Sequence, residues 1–242
     1  MNISRLLAAL SLAVAIALAG WFVGDGFMQG RKGDRFVTVK GVSEREVTAD
    51  LALWPLRYVA TGNELAAVQK TLREQTAQIR EFLTNAGIPD DAIEIQGVEV
   101  TDVAAQAWRE GPVRNRFIVA QTLIVRGTDV KVIETASRSI GELLDAGIVL
   151  STDYGPQSNS PNYIFTRLTQ IKPEMIAEAT RNARAAAEQF AADSGSHLGG
   201  IRRANQGVFQ ILPRIAVGGM PEEKQVEKTV RVVSTVEYYL ED

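Results

Sequence analysis

ATRNARAAAEQFAADSGSHLG, residues 179–199, is the stretch from which the fold can be read. Ile176, Ala179, Ala183, Ala187 and Phe190 fall at spacings of three and four, which collects them on one face of a helix. Ala185, Ala186, Ala191 and Ala192 widen that face. An alanine buries little apolar area, so such a face contributes little hydrophobic energy. What it does is let the helix lie very close to a sheet. Gly195 is the expected helix stop. His197, the only histidine in the chain, then falls in the turn toward the next strand. A channel lined by small residues and a general base at His197 are the functional alternatives. A base needs a nucleophile or a substrate beside it, and no such partner is evident in the sequence.

Working outward, Lys172 and Pro173 are expected to open this helix, since proline is tolerated in a first turn. IRRANQGVFQIL (201–212) reads as a strand, PRIAVGGMPEEKQVEK (213–228) as a loop and TVRVVSTVEYYLE (229–241) as a last strand. Gly218-Gly219 sits in that loop without the strand–loop–helix context of a phosphate cradle. Upstream, residues 36–62 read as two strands. Leu51 to Ala60 is apolar on both faces, as for a strand covered on both sides, and Pro55 marks an edge or a bulge. Asn63 is the expected cap of a helix with Leu65, Val68, Leu72, Ile79, Phe82 and Leu83 on one stripe, ended by Gly87 and Pro89. AIEIQGVEV (92–100) and NRFIVAQTLIVRG (115–127) are strands joined by the loop AAQAWREGPVR (104–114). Thr128 is expected to cap a helix with Ile133, Ala136, Ile140 and Leu143 buried and Gly147 at its end. IVLSTDY (148–154) and NYIFTRLTQI (162–171) read as one more strand pair. The order ββα, ββα, ββα, ββ implies an α+β fold: ββα-type units, largely antiparallel sheets, and three main helices packed on them.

Composition removes several functions. With no cysteine, thiolate nucleophiles, disulfides and cysteine-based zinc sites are excluded, and one histidine cannot build a multi-histidine metal centre. A net charge of -3 gives no electrostatic footprint for nucleic acid. No cofactor is expected.

Residues 1–29 are expected to be a targeting segment and 30–35 a short polar linker. Leu6 to Val23 carries no charge. Ala17-Leu18-Ala19 fits a signal-peptide cleavage site, which would leave a soluble periplasmic protein cut near Ala19. The run also continues through Trp21 and Phe22, roughly 18 residues, about the length that spans a bilayer with aromatics at the interface. The retained anchor is the preferred reading, with the body of the chain on the periplasmic side of an inner membrane.

The alanine helix and its flanks resemble the SIMPL domain family. Its helix motif, with alanines at spacing four followed by G-x-x-L-G, is matched by Ala179, Ala183, Ala187, Ala191, Gly195, Leu198 and Gly199. Its N-terminal pattern is matched by Val39, Gly41, Asp50 and Ala52, and LTNAGIPDDAIEIQG (83–97) matches its central helix end and strand. The resemblance covers about residues 36–240 and defines a domain over 36–242. Three positions depart from the pattern. Ala49 stands where the family usually has proline, Met175-Ile176 where it often has Ala-Arg, and Trp108 in a loop where it has tyrosine. The resemblance implies an envelope or secreted protein connected with oxidative-stress defence, with at least one branch forming large ring-like oligomers. It brings no agreed catalytic residues.

Individual candidates then have plain readings. Asp50 interrupts an apolar strand and is expected at a strand end, hydrogen-bonded to a turn. Asp90 and Asp91 follow Pro89 as a turn pair, and Asp153 and Tyr154 border a turn. Trp108 and Arg109, in a polar loop, are the candidate contact surface. The expectation is a non-enzymatic envelope protein acting through homo-oligomerisation. A holdase-like peptide binder is the first alternative, and a hydrolase using acidic residues and His197 the second.

Overall fold

From its N-terminus the chain runs α1 (Ile3–Lys32), β1 (Phe36–Thr48), β2 (Leu51–Gly62), α2 (Leu65–Asn85), β3 (Ile93–Asp102), β4 (Phe117–Gly127), α3 (Val130–Arg138), α4 (Gly141–Asp145), β5 (Val149–Leu150), β6 (Asn162–Ile164), α5 (Leu168–Asp193), β7 (His197–Gln206), β8 (Gln210–Pro213) and β9 (Glu227–Glu241). These elements come from a computed structural model that describes residues 3–32, 35–105, 114–151, 159–216 and 218–241. Two compact units are present. One is Met1–Glu44, Pro173–Phe209 and Arg231–Asp242, and the other is Arg45–Lys172 and Gln210–Val230. The α+β class expected from the sequence is the one observed.

In the first unit the alanine helix does what its composition implies. Met175, Ala179, Ala183, Ala187 and Ala191, each four apart, form its buried stripe. Ile176 is only half-buried and Phe190 is exposed, so the true stripe is narrower than the spacing of three and four predicts. The close approach has a partner on β1. A Cβ added to Gly41 would lie 1.8 Å from the Ala179 carbonyl oxygen and 2.4 Å from the Ala183 nitrogen. The helix backbone therefore rests directly on the strand backbone. Two side chains clamp the same place: Ser43 Oγ donates to Glu178 Oε2 at 2.8 Å, and Asn182 Nδ2 donates to the Val42 carbonyl at 2.8 Å. Val39, Val236 and Tyr238 complete this core with Ala183 and Ala187. The helix ends at Gly195, φ +68°. Gly195 N–H donates to the Ala192 carbonyl and Ser196 N–H to the Ala191 carbonyl, the paired closure that a left-handed residue permits.

The helix begins earlier than expected. Residues 168–171, assigned above to a strand, are its first turn, and Pro173 lies inside it. Only Asn162–Ile164 of that stretch is strand.

In the second unit β2 is the central strand of the order β3-β4-β2-β5, with β6 also on β2. Ala52, Trp54, Leu56, Tyr58 and Ala60 are buried and their alternates half-buried, so one face is fully in the core rather than both. Pro55 explains itself through hydrogen-bond direction. The Arg57 N–H turns to Asn159 Oδ1 at 2.9 Å, and residues two apart point their N–H groups to the same side. Pro55 thus aims its missing donor at the gap between the β6 register (Leu51–Leu53) and the β5 register (Tyr58–Val59). It is a local edge, with no bulge against β4. Asn159 bridges the gap, also accepting from Trp54 Nε1 at its carbonyl (2.7 Å) and donating to the Ser151 carbonyl (2.6 Å).

Over this sheet α2 buries Val68, Leu72, Ile79 and Leu83. Neither expected cap holds. Asn63 Oδ1 accepts instead from the Arg116 N–H, and Asp129, not Thr128, caps α3 by accepting from the Val132 N–H. The single helix expected from 129 to 146 is two, α3 and α4, because Ser139 leaves the helical path after Arg138.

On α1 the side chains of Leu12, Val14, Ile16, Leu18, Trp21, Phe22 and Val23 are all exposed. Among the described residues no helix is long and apolar enough to cross a membrane.

Candidate functional site

The acidic and basic candidates resolve into structural roles. Asp50, between β1 and β2, accepts from the Thr166 N–H at 2.7 Å on one oxygen. Its other oxygen takes the Thr166 hydroxyl at 3.1 Å and Arg167 Nε at 2.7 Å. Its own N–H donates to the Ile164 carbonyl at 3.0 Å. One carboxylate therefore fixes the entry of α5. Partial burial pushes this carboxyl up, but the hydrogen bonds from Thr166 and Arg167 and the Arg167 charge outweigh that and hold it below its ordinary value. Asp90 pairs with Arg80 at the start of a short 3₁₀ turn, Asp90–Ala92. His197 is not in a turn; it opens β7, exposed, opposite Glu241. Gly199 lies on the same strand beside Glu241 and Tyr239. Trp108, Arg109, Asp153 and Tyr154 lie outside the described residues.

A groove of about 750 Å³ opens between α3, the segment before β6 and residues 214–227. Its charged side chains have partners: Glu134 holds Arg138 at 2.6 Å, Glu46 holds Arg214 at 3.1 Å, Lys224 donates to the Ser160 carbonyl at 2.9 Å, and Glu227 accepts from the Thr48 hydroxyl at 3.2 Å. Burial raises the Tyr163 phenol above its ordinary value. Lys228 is fully buried, bonded to the Glu222 carbonyl at 2.7 Å and to its carboxylate. Among the described residues no group of three or more His, Cys, Asp or Glu could hold a metal ion. These contacts tie residues 214–228 to the rest of the unit.

What is unusual is the outer edge of the second unit's sheet. Ile93, Ile95, Val98 and Val100 pair with Val125, Leu123, Gln121 and Val119 of β4. Val119, Leu123 and Val125 point into the core, and directly opposed residues share a face. All four β3 residues therefore lie on the core side, although alternation from Ile93 alone would send Val98 and Val100 to the other side. A bulge between Ile95 and Gly97 shifts the phase and brings them into line. The core covers only Ile93; Ile95, Val98 and Val100 are 52%, 54% and 49% exposed. Glu94 and Glu99 lie on the opposite side, where Arg57 Nη2 reaches Glu99 at 2.8 Å. The phase break in IEIQGVEV, with a glycine at its centre, is the sequence signal for this feature.

The first unit has a matching edge. In the order β1-β9-β7, β7 is outermost. Ile201 and Ala204 pair with Tyr238 and Val236, which are buried in the core, and Ile201 is itself 56% exposed. Arg203 pairs with Glu237 on the other side, after a register shift at residue 202.

Comparison with protein-family models matches residues 37–238 to SIMPL, described as a protein of unknown function (DUF541). Comparison with curated proteins finds no match.

Proposed function

The chain belongs to the SIMPL family, and from that premise we propose that it works by protein association rather than catalysis, as a homo-oligomer in the cell envelope that supports tolerance of oxidative or envelope stress. The observation that carries this reading is β3. Among the described residues β3 has no strand on its outer side, and an outer strand with an exposed apolar row is a template for another strand; monomeric proteins normally blunt such edges. Here the bulge lengthens the apolar row. The engaged charges of the groove and the structural role of Asp50 favour association over hydrolysis. The uncharged run Leu6–Val23 and the exposed apolar side chains of α1 support attachment to a membrane through that helix.

The same edge would fit an extended client strand, so the test must separate self-assembly from client binding. Full-length protein in mild detergent, measured by light scattering, is expected to be a multimer without any added partner, and to consume no peroxide over many turnovers. A single-chain mass at every concentration, combined with suppressed aggregation of an unfolded client, would replace self-association with a holdase role. Peroxide or ester turnover lost in His197→Ala would replace both with an enzyme.

A further inference from the structure

We infer that the partner of the β3 edge is β7 of a second copy of this chain. This rests on the association reading above and names the surfaces that carry it.

Both strands are outermost in their sheets among the described residues. Both carry a register shift that leaves apolar side chains on the core side of the sheet, beyond the cover of their own core. Placed edge to edge with core sides aligned, Ile95, Val98 and Val100 continue into Ile201 and Ala204. On the opposite side Glu94 meets Arg203, while Glu99 is already held by Arg57 at 2.8 Å. The two sides of the joint are thus matched separately, apolar to apolar and acid to base, and opposite charges across neighbouring strands stabilise a pairing. The like-with-like alternatives lose this match. Two β3 edges would bring two Glu94 carboxylates to one side, and two β7 edges would set Arg203 beside Arg203. Arg202 does not decide the joint, since it already lies 4.0 Å over the Phe36 ring and 3.3 Å from Glu237.

A β3-to-β7 joint is heterologous. Each copy then keeps one unused edge of each kind, and the contact repeats until a ring closes or a filament grows. A client peptide could satisfy β3 but gives no role to the complementary edge of β7.

The test uses two full-length variants, Val98→Lys and Ile201→Lys. Each places a charge on an exposed edge position, where lysine discourages pairing without a core to disturb. Circular dichroism matching that of the parent checks that each is folded. The parent is expected to be a multimer and each variant alone a single chain. A 1:1 mixture should recover a two-chain species, because the intact β7 of the Val98→Lys chain can join the intact β3 of the Ile201→Lys chain. A parent that is itself a single chain would sink the association reading. A multimeric parent with both variants unchanged in mass would leave that reading standing and overturn the β3–β7 joint. Loss of assembly in Val98→Lys alone would point to β3 pairing with itself and also overturn it. Should either lysine variant fail to fold, Arg203→Glu is read instead. It should lower the assembled mass at low salt, and an unchanged mass would count against the joint.

Discussion

Gly41→Ala is expected to be the most damaging single substitution in the first unit. The added methyl would sit 1.8 Å from the Ala179 carbonyl oxygen and 2.4 Å from the Ala183 nitrogen. Both are backbone atoms of a helix, so no side-chain rotation relieves the clash. The helix has to lift from the strand, which would break the Ser43–Glu178 and Asn182–Val42 hydrogen bonds and open the packing around Ala183 and Ala187. Overpacking of a core usually costs about 1–3 kcal/mol and occasionally more. A backbone-on-backbone contact belongs at the upper end, at about 3 kcal/mol or beyond. Gly200→Ala is the control: a Cβ there meets nothing within 4 Å, and a change within about 0.5 kcal/mol is expected. Equal denaturation midpoints for Gly41→Ala and the parent would mean that the helix does not rest on β1.

Asp50→Ala is expected to cost about 1.5–3 kcal/mol, the range for hydrogen bonds made to a charged group. The Thr166 N–H and the Arg167 guanidinium lose their acceptor together, although Arg167 is half-exposed and water will take up part of the loss. The pH dependence gives a second reading of the same group. The folded carboxyl lies below its unfolded value, so its contribution is fully present above about pH 4 and fades as pH falls through the folded value. The stability gap between parent and Asp50→Asn should therefore be constant from neutral pH down to about 5 and narrow below about 4. A gap that is as wide at pH 3 as at pH 7 would mean that the ionised form is not what Thr166 and Arg167 bind.

Much of this was legible in the sequence, for physical reasons. Alanines four apart favour a close helix contact, and Gly195 favours a left-handed helix end, because both follow from local geometry. Most of the strands and helices were legible because most are amphipathic on their own; the break between β7 and β8 inside 201–212, read as one strand, and the split of α3 from α4 were not. The partners were not. Asp50 finds Thr166 and Arg167 more than a hundred residues away, and nothing in the spacing points to them. Gly41 stands out only through the family motif, and nothing in its spacing shows that Ala179 lies on it. Asn63 and Thr128 are good caps by residue type, yet Asn63 is taken by the Arg116 backbone, and Asp129, one residue on, caps α3 in place of Thr128. Pro173 misled in the other direction: a proline near a helix start is usually at the first position, and here α5 begins five residues before it. The contact surface expected at Trp108 and Arg109 falls outside the described residues, whereas the apolar edge of β3 is signalled in the sequence by its phase break at Gln96-Gly97.

The association claim is tested most directly by amide hydrogen exchange along β3 over a dilution series of the full-length protein, with mass followed in parallel. Residues 94–100 are expected to be protected while the multimer persists and to lose that protection as it dissociates, in step with residues 201–206 of β7. Exchange in both strands that stays fast and unchanged, across a range in which the mass falls from multimer to single chain, would contradict assembly through the sheet edges.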